Sequence, residues 1–517
     1  MASSARALIP RAPGWVAAIF VAVPILVPVV MVFIHAGGAG SPSAADWAAV
    51  RFTVVQALIS AVMSVALAVP IARALARRRF WGRGALITLM GAPFILPTIV
   101  AILGILAVFG RGGLLNTALV ALGFQPLVIY GLHGVILAHV FFNLPLAVRI
   151  VLQGWLAIPA ERFRLAATLG LTPRARFWVL EMPMLRTVVP GAFALVFALC
   201  LSSFAVALTL GGGPRATTVE VAIYHAFRFD FDLGRAAVLA AVQLGLIGLA
   251  AGLALVLGRG DAMGAGLDRV QSMWTPNSAL SRGMDGLWVA TGALLLVVPL
   301  AMVVARGVPG LGLLPDSVWR ALLTSIWMAG FTVALTMALA LALALWAVSR
   351  PMVEGIAILG IAASPLVIGT GLFLVIYPFA NPARFALGVT ILVNALGALP
   401  FALRIILPQL RAIAAAYSPL SMALGMSSWA FLRLVVLPRL RRPLGFAAGL
   451  VAALAMGDLG VITLFAGQDQ ATLPLEILRL MGAYKMQAAA SAGLLLLLTS
   501  LGLFWIFDRG GRANVDL

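Results

Sequence analysis

Uncharged apolar stretches of about 20 residues recur along the whole chain, as at residues 15–34 and 488–507. A helix of this length is what crossing a ~30 Å hydrocarbon layer requires. The composition agrees, because 63% of the 517 residues are hydrophobic and only 10% are charged, whereas soluble proteins carry roughly 25% charged residues. The sequence therefore predicts an all-α membrane protein.

The apolar stretches lie between arginine clusters and predict about twelve transmembrane helices in two sets of six. The first set covers roughly residues 15–35, 52–75, 86–109, 131–154, 188–211 and 234–258. The second set covers roughly residues 286–305, 320–349, 355–378, 386–408, 443–466 and 487–507. The first stretch exceeds the 7–15 residues of a typical signal-peptide core, so we expect it to be a retained span.

The distribution of basic residues predicts the orientation. The chain has 35 Lys and Arg residues against 16 Asp and Glu, a net charge of +19. With the N-terminus inside, the inner segments and adjoining span ends hold 25 of these 35 basic residues and the outer ones hold 10. The positive-inside rule then places both termini in the cytoplasm. Since the basic residues form no stripe with interleaved aromatic residues, we expect no nucleic-acid partner.

Few residues are of a type and spacing that would allow catalysis or metal binding. Cys200 is the only cysteine, and the four histidines lack the spacing of known metal-binding motifs, so no metal site, cofactor or catalytic residue is expected. A phosphate-binding P-loop needs Gly-Lys-Ser/Thr, but the only lysine, Lys485, follows Tyr484. The chain is therefore not predicted to be an enzyme or to hydrolyse ATP itself.

The two sets of spans repeat one another. At an offset of 255 residues, 144–149 (Leu-Pro-Leu-Ala-Val-Arg) matches 399–404 (Leu-Pro-Phe-Ala-Leu-Arg), Gly170 matches Gly425 and Pro183 matches Pro438. Several matches at a single offset indicate duplication, and equal orientation implies an axis along the membrane normal. We expect a first half at 1–258, a cytoplasmic linker at 259–285 and a second half at 286–517, with a translocation path between the halves.

Each half has a long inner loop between its fourth and fifth spans, at 156–187 and 411–442. Both loops contain a helix-forming stretch, a glycine, about twelve amphipathic residues and a proline. Glycine suits a helix C-terminus because it tolerates the left-handed backbone. The pattern predicts two short helices with a sharp turn, projecting into the cytoplasm.

These loops resemble the EAA loop of ABC importer permeases, whose glycine also precedes a proline by 13 residues, as it does in both halves here. Arg164 and Pro419 stand where the family has its Glu, Leu165 and Leu420 replace the first Ala, Ser421 replaces the second, and Met182 replaces the Leu before Pro183. The resemblance implies the type I ABC importer permease fold and two separate ATPase subunits docked on the loops. The residues it assigns to ATPase coupling are Glu161, Leu165, Ala166, Ala167, Leu169, Gly170 and Pro183 in the first loop, and Pro419, Leu420, Ser421, Leu424, Gly425 and Pro438 in the second.

A narrower resemblance covers nearly the whole chain. The blocks at 76–80, 139–145 (His-Val-Phe-Phe-Asn-Leu-Pro), 210–224 and 457–465 (Gly-Asp-Leu-Gly-Val-Ile-Thr-Leu-Phe) look like the fused permease of bacterial importers for thiamine and thiamine pyrophosphate. This resemblance implies an inner-membrane assembly of one permease, two ATPases and a periplasmic binding protein.

Polar residues inside the spans mark a candidate substrate path. Asp458 is the only acid within a predicted span, where a charge costs roughly 2.5–3.5 kcal/mol, so it is either a counter-ion for a cationic substrate or a structural acid. Ser203 takes its place in the first half. Asn143 shares a helix face with His139, which favours hydrogen bonds between helices over substrate contact. Residues Gly211, Gly212, Gly213 and Pro214 are expected to begin an outer loop on which the binding protein could rest.

Three alternatives remain. Ferric-iron permeases are also fused, and a proton-coupled secondary transporter would also show duplication, although it would need ionisable relays and would have no use for long inner loops. A membrane-embedded enzyme would need a cluster of acids, histidines or nucleophiles at one depth.

Overall fold

The computed structural model describes residues 12–38, 40–91, 95–213, 216–257, 278–350, 353–356, 364–467 and 470–512. Throughout these ranges the regular structure is helical. Eleven helices are long and apolar enough to cross a membrane, and a twelfth apolar helix, Pro365–Ile376, is shorter. The prediction of an all-α membrane protein with about twelve spans is confirmed.

Twelve helices belong to the first half of the chain. They are α1 (Ala12–Gly37), α2 (Ala44–Arg77), α3 (Arg83–Leu89), α4 (Thr98–Phe109), α5 (Leu114–Ala121), α6 (Leu132–Ala157), α7 (Ala160–Thr168), α8 (Pro173–Arg176), α9 (Met182–Leu201), α10 (Phe204–Leu210), α11 (Val219–His225) and α12 (Leu233–Leu257). A π-helical turn, Phe177–Glu181, joins α8 to α9, and another, Ala226–Asp230, follows α11.

Among the described residues, the second half of the chain has nine helices. Its helices are α13 (Ala279–Gly307), α14 (Asp316–Ser349), α15 (Pro365–Ile376), α16 (Ala386–Ala423), α17 (Ser428–Phe431), α18 (Leu437–Met456), α19 (Gly460–Phe465), α20 (Leu473–Gly482) and α21 (Met486–Arg512). A π-helical turn, Leu432–Val436, joins α17 to α18.

The predicted third and fifth spans are not continuous helices. In the fifth spans, the chain leaves the helix at Ser202 and Ser203 between α9 and α10, and at residues 457–459 between α18 and α19. In the third span of the first half, the helix ends at Leu89 and restarts after Pro97. Hydropathy could not reveal these interruptions, because the residues that flank them are as apolar as those of an unbroken span.

The two inner loops differ in their first helix. In the first half, α6 ends at Ala157, and α7 begins after Pro159. In the second half, Ala414 stands in place of Pro159, and α16 continues for 38 residues through the predicted loop start to Ala423. The prediction of two separate short helices therefore holds only for the first loop. Pro159 separates α6 from α7, since a proline disfavours the helical conformation in the residue before it, whereas α16 accommodates Pro400, Pro408 and Pro419.

The C-terminal end of the predicted linker is helical. Ser278 accepts a hydrogen bond from the backbone of Ser281 and so caps α13, which begins at Ala279. Residues 279–285 of the predicted linker are thus helical, and Asp285 pairs with Arg77 and Arg78 at the end of α2. Residues 259–277 lie outside the described part of the chain, as does Pro214.

The halves are interlocked. The first helix of each half packs against the other half: α1 lies against α14 and α15, and α13 lies against α2 and α4. Each of them also packs against the sixth span of its own half, α12 or α21. The core is therefore shared between the halves, and the short helices α4 and α15 lie inside it.

Candidate functional sites for coupling and translocation

The inner loops turn sharply at their glycines, as predicted. Gly170 has φ +64° and Gly425 has φ +63°. In each turn the N–H of the third residue beyond the helix donates to the carbonyl oxygen five residues earlier, from Leu171 to Ala166 and from Met426 to Ser421. This is the hydrogen-bonding pattern of a glycine C-cap. Each turn thus ends one helix, and the next helix begins three residues after the glycine, at Pro173 and at Ser428.

The loops present apolar side chains to solvent at equivalent positions. Leu165 and Leu169 are 60% and 66% exposed, and Leu420 and Leu424 are 56% and 68% exposed. Two leucines four residues apart lie on one face of a helix. Exposed apolar patches mark contact surfaces for other proteins or for a membrane. We call these four leucines the docking leucines.

The other predicted coupling residues divide into two groups. Ala166 and Ser421 are buried, so they do not face a partner. The remaining ones are exposed or part-buried: Glu161, Ala167, Gly170, Pro183, Pro419, Gly425 and Pro438.

The two loops are anchored by different chemistry. In the first, the buried carboxylate of Glu181 pairs with Arg73 of α2 at 2.6 and 3.1 Å, and the buried Arg176 lies close to both. In the second, Phe431 takes the place of Arg176 and is almost fully buried. One loop is thus tied to the spans by charge and the other by apolar packing.

The break in the first half is stabilised by polar side chains from neighbouring spans. At the end of α9, the carbonyl oxygens of Cys200 and Leu201 accept hydrogen bonds from Gln56 and Gln243, each at 2.9 Å. Helix ends inside a membrane need such partners, because no water is available there. At the start of α11, Val219 N donates to Thr53 Oγ1 at 2.9 Å.

Glu220 connects this break to the other half. Its buried carboxylate accepts hydrogen bonds from Ser202 at 3.2 Å and from Ser364, the residue that caps α15. Gln243 lies 3.5 Å away. Glu220 therefore joins the fifth and sixth spans of one half to the third span of the other.

The break in the second half contains Asp458. Its Oδ1 accepts a hydrogen bond from Gly460 N, the first residue of α19, at 3.2 Å. The amide of Asn394 on α16 lies beside the carboxyl group, yet neither Asn394 Nδ2 nor Asp458 Oδ2 has a hydrogen-bond partner of acceptable geometry among the described residues. Asp458 Oδ1 thus bonds to the backbone at the start of α19. Asp458 Oδ2 is enclosed beside the Asn394 amide and has no hydrogen bond of acceptable geometry among the described residues.

Asn143 and His139 both bond to neighbouring helices, as the sequence predicted. Asn143 Nδ2 donates to Cys200 Sγ of α9 at 3.3 Å, and His139 Nδ1 lies 3.3 Å from Ser60 Oγ of α2. The Nε2 atom of His139 has no partner in the described ranges.

The glycine-rich outer turn is only partly accessible. Gly211 is buried, and a Cβ atom there would lie 2.4 Å from the carbonyl oxygen of Ala207. Gly212 and Gly213 are exposed and have φ +76° and +124°. Among the described residues that were predicted to contact a binding protein, only Gly212 and Gly213 are exposed.

Sequence reasoning missed Glu220 and Asn394. Glu220 was assigned to an outer loop, although Thr218 directly before the apolar stretch is a helix N-cap signal. Asn394 lies 255 residues after His139, the offset of the repeat, so the duplication could have identified it.

Comparisons with known proteins give closely similar relatives. The chain is 39% identical to the thiamine transport system permease protein ThiP of Brucella abortus (strain 2308) over 501 residues, 93% of this chain and 92% of the relative. It is 39% identical to ThiP of Escherichia coli (strain K12) over 492 residues, 91% and 90% of the two chains. The molybdenum transport system permease protein ModB of Mycobacterium bovis is 33% identical over 223 residues, which cover 43% of this chain and 81% of ModB. No family model matches the chain.

Proposed function

The chain belongs to the family of thiamine transport system permease proteins, and from this membership we propose that it forms the membrane path of an ABC importer for thiamine. The proposal rests on alignments that cover at least 90% of this chain and of each relative with that name. Neither a ferric-iron permease nor a secondary transporter is among the relatives described above.

The docking leucines support a second element of the proposal, that the chain binds two separate ATPase subunits, one on each inner loop. Each loop presents two exposed leucines on a helix that ends in a left-handed glycine turn. The two halves, 1–258 and 286–517, would then each serve one ATPase. A periplasmic binding protein would deliver the substrate to the outer face near Gly212 and Gly213, and both termini would lie in the cytoplasm of a bacterial inner-membrane protein.

Thiamine uptake by the reconstituted complex tests this function. The chain would be purified with the ATPase and the binding protein from its own genome and placed in proteoliposomes. We expect ATP-dependent uptake of labelled thiamine that requires both partners. Uptake of molybdate or ferric iron, with none of thiamine, would contradict the proposal.

Cysteine crosslinking tests the docking assignment. Leu169→Cys and Leu424→Cys, each in a Cys200→Ala background, are expected to crosslink to the ATPase. Leu122→Cys, at an equally exposed position between the third and fourth spans, is the matched control and should not crosslink to it. Crosslinks from the loop positions to the binding protein instead would invert the topology.

We place the substrate path at Asp458, Ser203 and Asn143. Asp458 is the candidate counter-ion, because thiamine is a cation and Asp458 Oδ2 is unpaired among the described residues. Asp458→Asn keeps the shape and one acceptor oxygen but removes the charge. It should lower thiamine uptake while complex yield and basal ATP hydrolysis stay close to normal. A fall in complex yield with unchanged uptake per complex would make Asp458 structural.

A further inference from the structure

The repeat pairs four polar residues around the two helix breaks. His139 on α6 and Asn394 on α16 are 255 residues apart, as are Ser203 and Asp458. His139 and Asn394 therefore occupy equivalent places on the two fourth spans, and Ser203 and Asp458 occupy equivalent places in the two breaks. Each half thus contributes one residue on its fourth span and one residue in its helix break.

Each of these four residues has an enclosed polar atom without a hydrogen bond of acceptable geometry to a described residue, and Asn394 and Asp458 lie beside each other. The atoms are His139 Nε2, Ser203 Oγ, Asn394 Nδ2 and Asp458 Oδ2. His139 is only 2% exposed. Leaving a buried polar group unpaired costs about 1–3 kcal/mol, and buried side-chain polar atoms are usually paired. Four such atoms at two equivalent pairs of positions are available to a ligand.

The second spans extend this equivalence. Thr53 on α2 accepts from the first N–H of α11, and Ser325 on α14 accepts from the first N–H of α20. Seven residues further along are Ser60, which contacts His139, and Thr332, whose Oγ1 is also enclosed without a partner in the described ranges. Ser60 and Thr332 thus occupy equivalent places on the two second spans.

The two breaks are linked by a series of contacts. Helix α4 packs against α10 of its own half, and Pro97 at its start lies against Gly457 of the other half, where an added Cβ would be 3.0 Å from the Pro97 Cα. Helix α15 packs against α19 of its own half, and Ser364 at its start bonds to Glu220 beside the first break. These contacts form a closed circuit that runs through both breaks.

Interrupted helices that meet where two repeats join are the usual location of substrate sites in membrane transporters. We propose that the two breaks form one transit site for an organic cation, with the charge taken by Asp458 and uncharged polar atoms of the substrate bound by His139, Asn394 and Ser203. The site is asymmetric, because only the second half carries a carboxylate. It fits a cation that also has hydrogen-bonding ring atoms, and its assignment to thiamine rests on the proposed function.

The asymmetry gives a test, because the carboxylate can be moved to the other half. Asp458→Ser should reduce thiamine uptake per complex about tenfold, the factor that loss of one charge-assisted hydrogen bond corresponds to. The double variant Ser203→Asp/Asp458→Ser places the carboxylate at the equivalent position across the site and should recover at least half of the wild-type uptake. Ser491→Ala, which removes a buried hydroxyl far along the chain on α21, is the matched control and should transport normally.

Recovery in the double variant requires the two breaks to face one site. Equal loss in the single and double variants, with normal complex yield, would overturn the shared site while leaving the proposed function intact, since the wild-type complex still transports. If wild-type proteoliposomes take up no thiamine, the proposed function itself fails.

Labelling provides a readout that does not depend on Asp458 variants folding. In a Cys200→Ala background, Ser203→Cys and His139→Cys would be treated with a cationic methanethiosulfonate reagent during ATP turnover. We expect both to be modified, and thiamine supplied with the binding protein should slow the modification several-fold. Modification that thiamine does not slow, or none at all, would contradict a site at these residues.

Discussion

Glu220 illustrates, at the scale of one residue, how an acid can be buried between the two halves with no basic partner among the described residues. Ser202 and Ser364 donate to its carboxylate from opposite halves, and Gln243 lies within reach. The hydrogen bonds come from hydroxyl and amide groups, which cost less to bury than a second charge. The residue therefore serves as a hydrogen-bonded joint between the halves.

Removing this acceptor should weaken the joint. Glu220→Ala leaves the donors around it unpaired at a cost of about 1–3 kcal/mol each, so the thermal midpoint of the detergent-solubilised protein should fall by several degrees. Glu220→Gln keeps one acceptor oxygen and should lower the midpoint much less. Ser202→Ala removes only one donor and is the control. An unchanged midpoint in Glu220→Ala would show that the joint contributes nothing.

Gly425 is constrained by its backbone conformation and not by its neighbours. No heavy atom lies within 4 Å of the place where its Cβ would be, so space is not limiting. The cost of substitution is backbone strain at φ +63°, roughly 1–2 kcal/mol for an ordinary L residue and less for Asn.

Gly425→Val is therefore expected to lower substrate-stimulated ATP hydrolysis of the assembled complex, with expression near normal. Gly425→Asn should retain most of the stimulation, because Asn tolerates the left-handed conformation. Both would be measured as the ratio of ATPase rates with and without loaded binding protein. Equal ratios in wild type and Gly425→Val would defeat the assignment of this turn to coupling.

At the scale of elements, both inner loops enter the fifth span through a π-helical turn. Phe177–Glu181 and Leu432–Val436 lie 255 residues apart, so the feature is part of the repeat. A π-helical turn contains one residue more than an α-helical path needs, and such turns occur frequently at functional sites. Here the extra residue sets the angle between the docking leucines and the span.

Deleting that residue should rotate the loop against the span by about 100°, the angle that one helical residue contributes. Val179 and Leu434 are suitable, since both are exposed and at equivalent positions. Each deletion should preserve insertion into the membrane and abolish stimulated ATP hydrolysis, which copurification and ATPase assays would measure. Val179→Ala and Leu434→Ala are the length-preserving controls. Full stimulation in either deletion would show that the turn does not set the docking angle.

At the scale of the whole molecule, the halves exchange their first spans. Helix α1 packs on α14 and α15, while α13 packs on α2 and α4. Two halves that bury helices in each other in this way share an apolar interface, which resembles the core of a single domain. The covalent linker is then not what holds the halves together.

A chain cut within the linker should accordingly assemble. Residues 1–265 and 266–517, co-expressed with a tag on one fragment only, are expected to copurify and to support thiamine uptake near the level of the intact chain. Omitting residues 1–38 from the first fragment should abolish copurification, because the second half then loses the helix that covers α14 and α15. Failure of the full fragments to copurify would mean that the linker is required for assembly.

Much of this protein follows from the sequence alone, because the relevant signals are local in the chain. The length of the apolar stretches predicts the spans, one constant offset reveals the duplication, and the Gly-to-Pro spacing locates the turns at Gly170 and Gly425. Each of these depends on residues within a few turns of one another or on a direct comparison of two segments.

Only the tertiary structure decided where the spans break and which polar groups meet. The serines at 202 and 203 interrupt a helix because Gln56 and Gln243, from distant spans, satisfy the carbonyl groups that the break frees. Glu220 is buried because Ser364 of the other half reaches it. The free energy of a break or a buried acid inside a membrane depends on partners far away in the chain, and a hydropathy pattern contains no information about those partners.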